Sequence, residues 1–286
     1  MKKFGQIFGF LAILAIVGLV LSCDEPGAGN ITGEWVTLVQ IPAGTLTWPE
    51  ATITLSAFKM GVYVVTQEQW REVMVISPNP SYFSSDPAAG EIQGKRPVEQ
   101  RSWYDAIEFC NALSIREGLS PYYIINKDSP DPNNNSEYGD NSKWLVTTNG
   151  AANGYRLPTE AQWEYACRAG STTDWHFGDD ASELANYAWY NENSGNKTHQ
   201  VGLKLPNAWG LYDMYGNVSE WCWDWYGDMP TSNQTNYTGT FSGNNRVLRG
   251  GHYGISVSDE FIRSSDRSYN NPAFRSISTG FRLVRP

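Results

Sequence analysis

Apolar-rich runs from Trp35 to Ile41 and from Ala51 to Val65 read as strands, and Ala51-Thr52-Ile53-Thr54-Leu55 alternates with the two-residue period of a half-buried one. The pattern then changes. Thr66-Gln67-Glu68-Gln69 is a capping box in which Gln69 reaches back to the cap, and it predicts a helix through Met74. Ser102 caps a second helix that ends near Gly118, and Thr159-Glu160-Ala161-Gln162 opens a third that stops at Gly170. Residues 126–153 are dense in Asn, Asp, Ser and Pro and read as a solvent-exposed insertion, not a domain boundary. Beyond Gly170 helical periodicity is lost, and Gly, Asn and Trp punctuate the chain. Three helices, a few strands and a long irregular half give an α+β class with little regular structure.

The last 41 residues obey two rules. Their ends, Arg246-Val247-Leu248-Arg249-Gly250-Gly251 and Gly280-Phe281-Arg282-Leu283-Val284-Arg285-Pro286, read as short strands with apolar residues set between arginines. Residues 252–279 between them have no period and hold seven Ser. Of Trp, Met, Lys, Gln and Glu, the types that a codon ending in pyrimidine does not encode, they hold one, Glu260. A segment rewritten at the adenines of AAC-like codons leaves such a gap. The competing reading is an ordinary Ser/Asn-rich surface loop.

Composition adds a rigid core. Aromatic residues make up 14% of the chain, with 12 Trp, so the interior is built with few aliphatics. Lys2 and Lys3, an apolar run from Phe4 to Leu21, and Cys23 describe a secretory signal. Val20-Leu21-Ser22-Cys23 resembles a bacterial lipoprotein box, which implies removal of residues 1–22 and lipidation of Cys23; the alternative is an uncleaved membrane anchor. Residues 23–34 then form a tether, residues 35–286 one domain, and the protein is exported and held by lipid at the outer membrane or cell surface. Losing two lysines takes the formal charge from −9 to −11, which argues against nucleic acid and against an anionic membrane surface as partners. Cys110, Cys167 and Cys222 have no CxxC spacing and read as buried thiols, with no disulfide framework.

Tyr155-Arg156-Leu157-Pro158-Thr159-Glu160-Ala161-Gln162-Trp163-Glu164-Tyr165 resembles the signature of the formylglycine-generating enzyme, or sulfatase-modifying factor, family. The resemblance continues through residues 207–221, 246–251 and 280–282 and covers roughly residues 35–286. It implies one domain with a C-type-lectin-like fold. The enzymes of that family use a cysteine pair between the RGG and GFR blocks, and here that interval has no cysteine, so the sulfatase-modifying activity is not expected. His176, His199 and His252 lie at no metal-ligand spacing.

The same interval resembles the variable region of retroelement-diversified proteins, the group that includes the phage tropism determinants, with residues 246–286 as that region. The resemblance implies a non-catalytic display surface whose varied, ligand-binding face comprises Tyr253, Gly254, Ile255, Ser256, Ser258, Asp259, Asp266, Ser268, Tyr269, Phe274, Ser276, Ile277 and Ser278. Arg263, Arg267 and Pro272 fall to the frame and Arg275 to either. Tyr, Ser, Gly and Asn suit such a face, since they combine rigid area with adaptable hydrogen bonds. The expected ligand is a protein or glycan on another cell or host. The family's GNxxEW block implies a structural calcium at Asp213, Gly216, Val218 and Glu220, no other cofactor being required; the alternative is that Glu220 pairs with an arginine or caps a turn. The rival functions are an enzyme of unrecognised chemistry on this fold and a structural envelope lipoprotein.

Overall fold

A computed structural model describes residues 35–75, 78–137, 143–259 and 261–286. Cys23, the export segment and the tether lie outside the described residues. The chain opens with strands β1 (Leu38–Ile41), β2 (Gly44–Trp48), β3 (Ala51–Leu55) and β4 (Phe58–Gly61). Helices α1 (Gln67–Val73) and α2 (Trp103–Arg116) precede a hairpin of β5 (Tyr123–Pro130) and β6 (Trp144–Thr148). Helix α3 (Glu160–Arg168) and the single turn α4 (Leu184–Tyr187) follow, then β7 (Ser219–Trp225), β8 (Gln234–Thr235), β9 (Arg246–Arg249), β10 (Ser268–Asn270), β11 (Thr279–Phe281) and β12 (Val284–Arg285). Complete capping boxes start α1, α2 and α3, at Thr66/Gln69, Ser102/Asp105 and Thr159/Gln162.

Two of the expectations are corrected. The stretch from Ala51 to Val65 is two strands, and β2, unread in the sequence, pairs antiparallel with the first of them. Residues 126–153 are not a solvated insertion throughout. They carry most of the β5–β6 hairpin, and Asp131, Asn134 and Ser136 beyond β5 are buried. Asn134 is held there by its own hydrogen bonds, donating to the Tyr104 hydroxyl at 3.1 Å and accepting from the Ser136 N–H at 3.0 Å.

The sheet that matters for function has the order β10-β9-β7-β11. β9 lies antiparallel to β7 and β11 parallel to it on the other side, so Glu220 of β7 stands opposite both Arg249 and Gly280. The irregular segment thus leaves and re-enters one sheet on the two flanks of a single strand. Aromatic packing fixes that strand from beneath: Trp70 stacks on Phe109 at 5.6 Å, Phe109 meets Phe281 at 5.3 Å, and Trp103 and Trp221 are fully buried. The Cys110, Cys167 and Cys222 thiols are buried and unbridged.

Both ends of the irregular segment are locked by buried arginines. Arg282 is wholly buried and reaches Glu220 through Nη2 at 2.8 Å and Nε at 3.0 Å, and it donates to the carbonyls of Gly61, Val62 and Tyr212. Trp163 donates to the same carboxylate at 2.9 Å. Removing one partner from such a pair leaves an uncompensated charge in the interior and costs about 3–5 kcal/mol.

Two predictions follow from this packing. Glu220→Gln lowers the unfolding free energy in urea by about 3–5 kcal/mol; a loss below about 1 kcal/mol contradicts the role given to the pair. The second concerns pH. Burial, with Glu160 nearby, pushes the Asp224 carboxyl up to about 8, and burial lifts Glu99 to about 7 and Asp213 to about 6. In the unfolded chain such groups ionise near about 4. The folded form therefore keeps protons that the unfolded form has released, so this stabilisation is present below about pH 4 and is lost as pH rises through the folded values. Asp224→Asn makes the fall in unfolding free energy between about pH 6 and 9 shallower; an unaltered slope excludes Asp224 as a source of it.

Candidate ligand-binding surface

Arg249 ends β9 and is the anchor of residues 252–278. Its guanidinium is buried, lies against the Glu164 carboxylate and stands 3.7 Å from Glu160, both supplied by the first turns of α3. The remaining donors hold the segment itself: the carbonyls of Ser264 and Ser265 accept at 2.9 Å, and that of Asp266 also accepts. Glu160 in turn takes Arg267 with two bonds of 2.6 and 2.8 Å, a fork-to-fork pair. Arg267 is thus tied to the scaffold through α3. Arg263 pairs with Asp174 at 3.2 Å, Pro272 is buried with its carbonyl accepting from the Trp103 N–H, and Arg275 pairs with Asp105 at 3.0 Å.

The main chain of the segment is fastened at further points. Tyr253 donates its N–H to Asn217, and the carbonyls of Ile255, Ser276 and Ser278 accept from Asn191, Gln100 and Ser219. Gly251 permits the entry turn: its φ is 69°, and a Cβ there would come within 2.7 Å of the Phe261 carbonyl oxygen.

The side chains mostly run the other way. Tyr269, Phe274 and Ile277 are 51%, 44% and 38% exposed, and Ser258 is exposed too. Gly254, Ile255, Ser256, Asp266, Ser268, Ser276 and Ser278 are half-buried. Asp259 closes a short 3-10 turn, and its side chain lies outside what is described. Tyr253 is the correction. It is 5% exposed, with its ring edge-on to Phe83 at 5.3 Å and its carbonyl accepting from the Ser194 hydroxyl, so it belongs to the frame. Phe261, half exposed, lies beside these residues and escaped the sequence reading, because nothing local distinguishes it from buried Ile262 next to it. Two depressions open on this face. One, of 410 Å³, lies among Gly251, His252, Ile255, Phe261, Ser219 and Ser268; the other, of 630 Å³, among Asn244, Asn270, Asn271, Phe274 and Arg275.

The residues assigned to calcium have another arrangement. Both Glu220 oxygens accept from Arg282, and one also from Trp163, so the cation facing Glu220 is an arginine. Asp213 is buried, with one oxygen accepting from the Gly202 N–H and the other unpartnered. Val218 is buried in the apolar interior, and Gly216 is needed for the backbone, since its φ is 69° and a Cβ would lie 2.1 Å from the Trp189 carbonyl oxygen. Among the described residues no three acidic, His or Cys side chains converge on a metal position. Of the carboxylate oxygens at these positions one, on Asp213, is unpartnered, and the main-chain carbonyls of Gly216 and Val218 are the other oxygens a calcium ion would call on.

The thiols are withdrawn from this face, and His252 is the imidazole that lines one of its depressions. Burial pushes the Cys167 thiol up to about 11 and the Cys110 and Cys222 thiols higher, away from the reactive thiolate. Burial also holds His176 down at about 4, where it stacks on Tyr215. His252 accepts the Gly254 N–H at Nδ1, which leaves a neutral ring with its proton on Nε2.

Comparison with known proteins agrees with this geometry. The solved structure of Treponema denticola variable protein 1 superposes with a TM-score of 0.78 at 41% identity, over 88% of this chain and 95% of that one. The chaperone protein LppX of Paenibacillus barcinonensis is 40% identical over 248 residues, 79% of this chain and 83% of its own length. The formylglycine-generating enzyme of Bos taurus is 35% identical over 145 residues, which is 46% of this chain and 39% of that protein. The sulfatase-modifying factor enzyme 1-like domain matches residues 28–286, and the chain belongs to that family.

Proposed function

We propose that this is a non-catalytic, lipid-anchored display protein that binds a macromolecular ligand through residues 252–278, and that this face is diversified by a retroelement. One observation carries the reading: the main chain of the segment is bonded to buried groups of the scaffold, while Ser258, Phe261, Tyr269, Phe274 and Ile277 face outward. Side chains on such a segment are exchangeable without moving the backbone. Similarity to a protein titled a variable protein supports the proposal, as does the lack of any cysteine after Cys222. Lipidation of Cys23 would place many copies on one membrane, so that weak single contacts add by avidity. The ligand is a protein or glycan on another cell or host. Among the described residues no helix is long and apolar enough to cross a membrane.

Sequencing the codons for residues 246–286 in many independent isolates tests the proposal. Substitutions are expected to crowd into codons ending in pyrimidine at Ser258, Tyr269, Phe274, Ser276 and Ile277, while Arg249, Gly250, Gly251, Tyr253, Gly280, Phe281 and Arg282 stay fixed. Uniform codons across isolates would remove diversification, and variation spread evenly over face and frame would remove the display role with it.

A further inference from the structure

A cavity of 360 Å³ lies apart from the display face and shares no lining residue with residues 252–278. It opens between the β5–β6 hairpin, the Trp-rich end of β7 and the loop at residues 238–241. Its volume falls in the usual small-ligand range of about 300–1,000 Å³. Arg246 and Asp131, both more than nine-tenths buried, line it.

The protein satisfies these charges only in part. Arg246 lies between the rings of Trp103 and Trp225, at 3.9 and 3.5 Å, and donates one hydrogen bond, from Nη1 to the Trp223 carbonyl; its Nε is buried and unpartnered. Asp131 accepts the Asn133 N–H at one oxygen, and no ion pair joins it to Arg246 although each feels the other's charge. Groups so buried and so short of partners are costly unless something else bonds to them.

The two opposite charges restrict what fits. An anion would satisfy Arg246 and be repelled by Asp131, and a cation would meet the reverse. The other polar side chains at the wall, Asn133, Thr147, Thr238 and Thr240, are neutral, and Phe241 at the mouth is 84% exposed, a free aromatic face. A ring of hydroxyls both donates and accepts, while its C–H face packs on an aromatic ring.

We infer that this cavity is a saccharide subsite, in which Asp131 and Arg246 bond adjacent hydroxyls of one neutral sugar ring and Phe241 covers its apolar face. The site gives the protein a second recognition function, fixed in sequence and independent of the varied face. It stands whether or not residues 252–278 are diversified.

Saturation-transfer difference NMR on the full chain tests it, with maltose, cellobiose and N,N′-diacetylchitobiose as probes and free tryptophan as a zwitterionic control. At least one disaccharide is expected to take saturation, chiefly on one ring. Phe241→Ala, at a position too exposed to affect folding, and Asp131→Asn each weaken that binding at least about tenfold, whereas Tyr269→Ala and Phe274→Ala leave it unchanged. Silence from all three sugars, binding of tryptophan in their place, or loss of the sugar signal in the Tyr269 and Phe274 variants would overturn the assignment.

Discussion

The structure depends on charge held in the interior by arginine. Arg249 sits between two carboxylates of α3 and three carbonyls of the segment that follows it, so one side chain joins a helix, a sheet and an irregular loop. Arg282 does the same at the other end, with Glu220 and three carbonyls. A loop of this length with no period of its own has little apolar surface to order it, and hydrogen bonds to charged groups, at about 1.5–3 kcal/mol each, replace that missing core. The carboxylates come from α3 and β7, outside the segment, and therefore remain when the segment's surface changes.

From this arrangement function follows by separation of roles. The backbone of residues 252–278 is held by main-chain hydrogen bonds and by Arg249, while Ser258, Phe261, Tyr269, Phe274 and Ile277 are exposed, Tyr269 also packing on Tyr226. On the proposed reading, a face of exchangeable residues on a fixed main chain would lose little entropy on engagement. The three thiols lie in the interior, where burial keeps them protonated, and burial also lowers the His176 imidazole.

Much of this was legible in the residues. Local chemistry announced the three capped helices, because a Thr or Ser followed three positions on by Gln or Asp satisfies the cap without help from elsewhere. The arginine-bounded ends read as strands, and so they are. What failed depended on distant partners. Strand β2 lies between Pro42 and Pro49, and its short alternation carries no strand reading until β3 is beside it. The polar residues after β5 look solvated, yet Asn134 and Ser136 are buried because they bond each other and Asn134 also bonds Tyr104. Tyr253 suits a varied face by type, and only Phe83, far off in sequence, turns it inward. At Glu220 the residues left calcium and an arginine partner both open, and the partner in place is Arg282, 62 positions away.

The claim that the arginine clamps, and not the outward side chains, determine the fold is tested most directly by sorting two libraries for protease resistance. One randomises Ser258, Tyr269, Phe274, Ser276 and Ile277 together; the other randomises Glu160, Glu164 and Arg249. The account predicts that most members of the first resist digestion as the parent does and that almost none of the second survive. Comparable losses from both libraries would contradict it, because the displayed residues would then be part of what holds the fold.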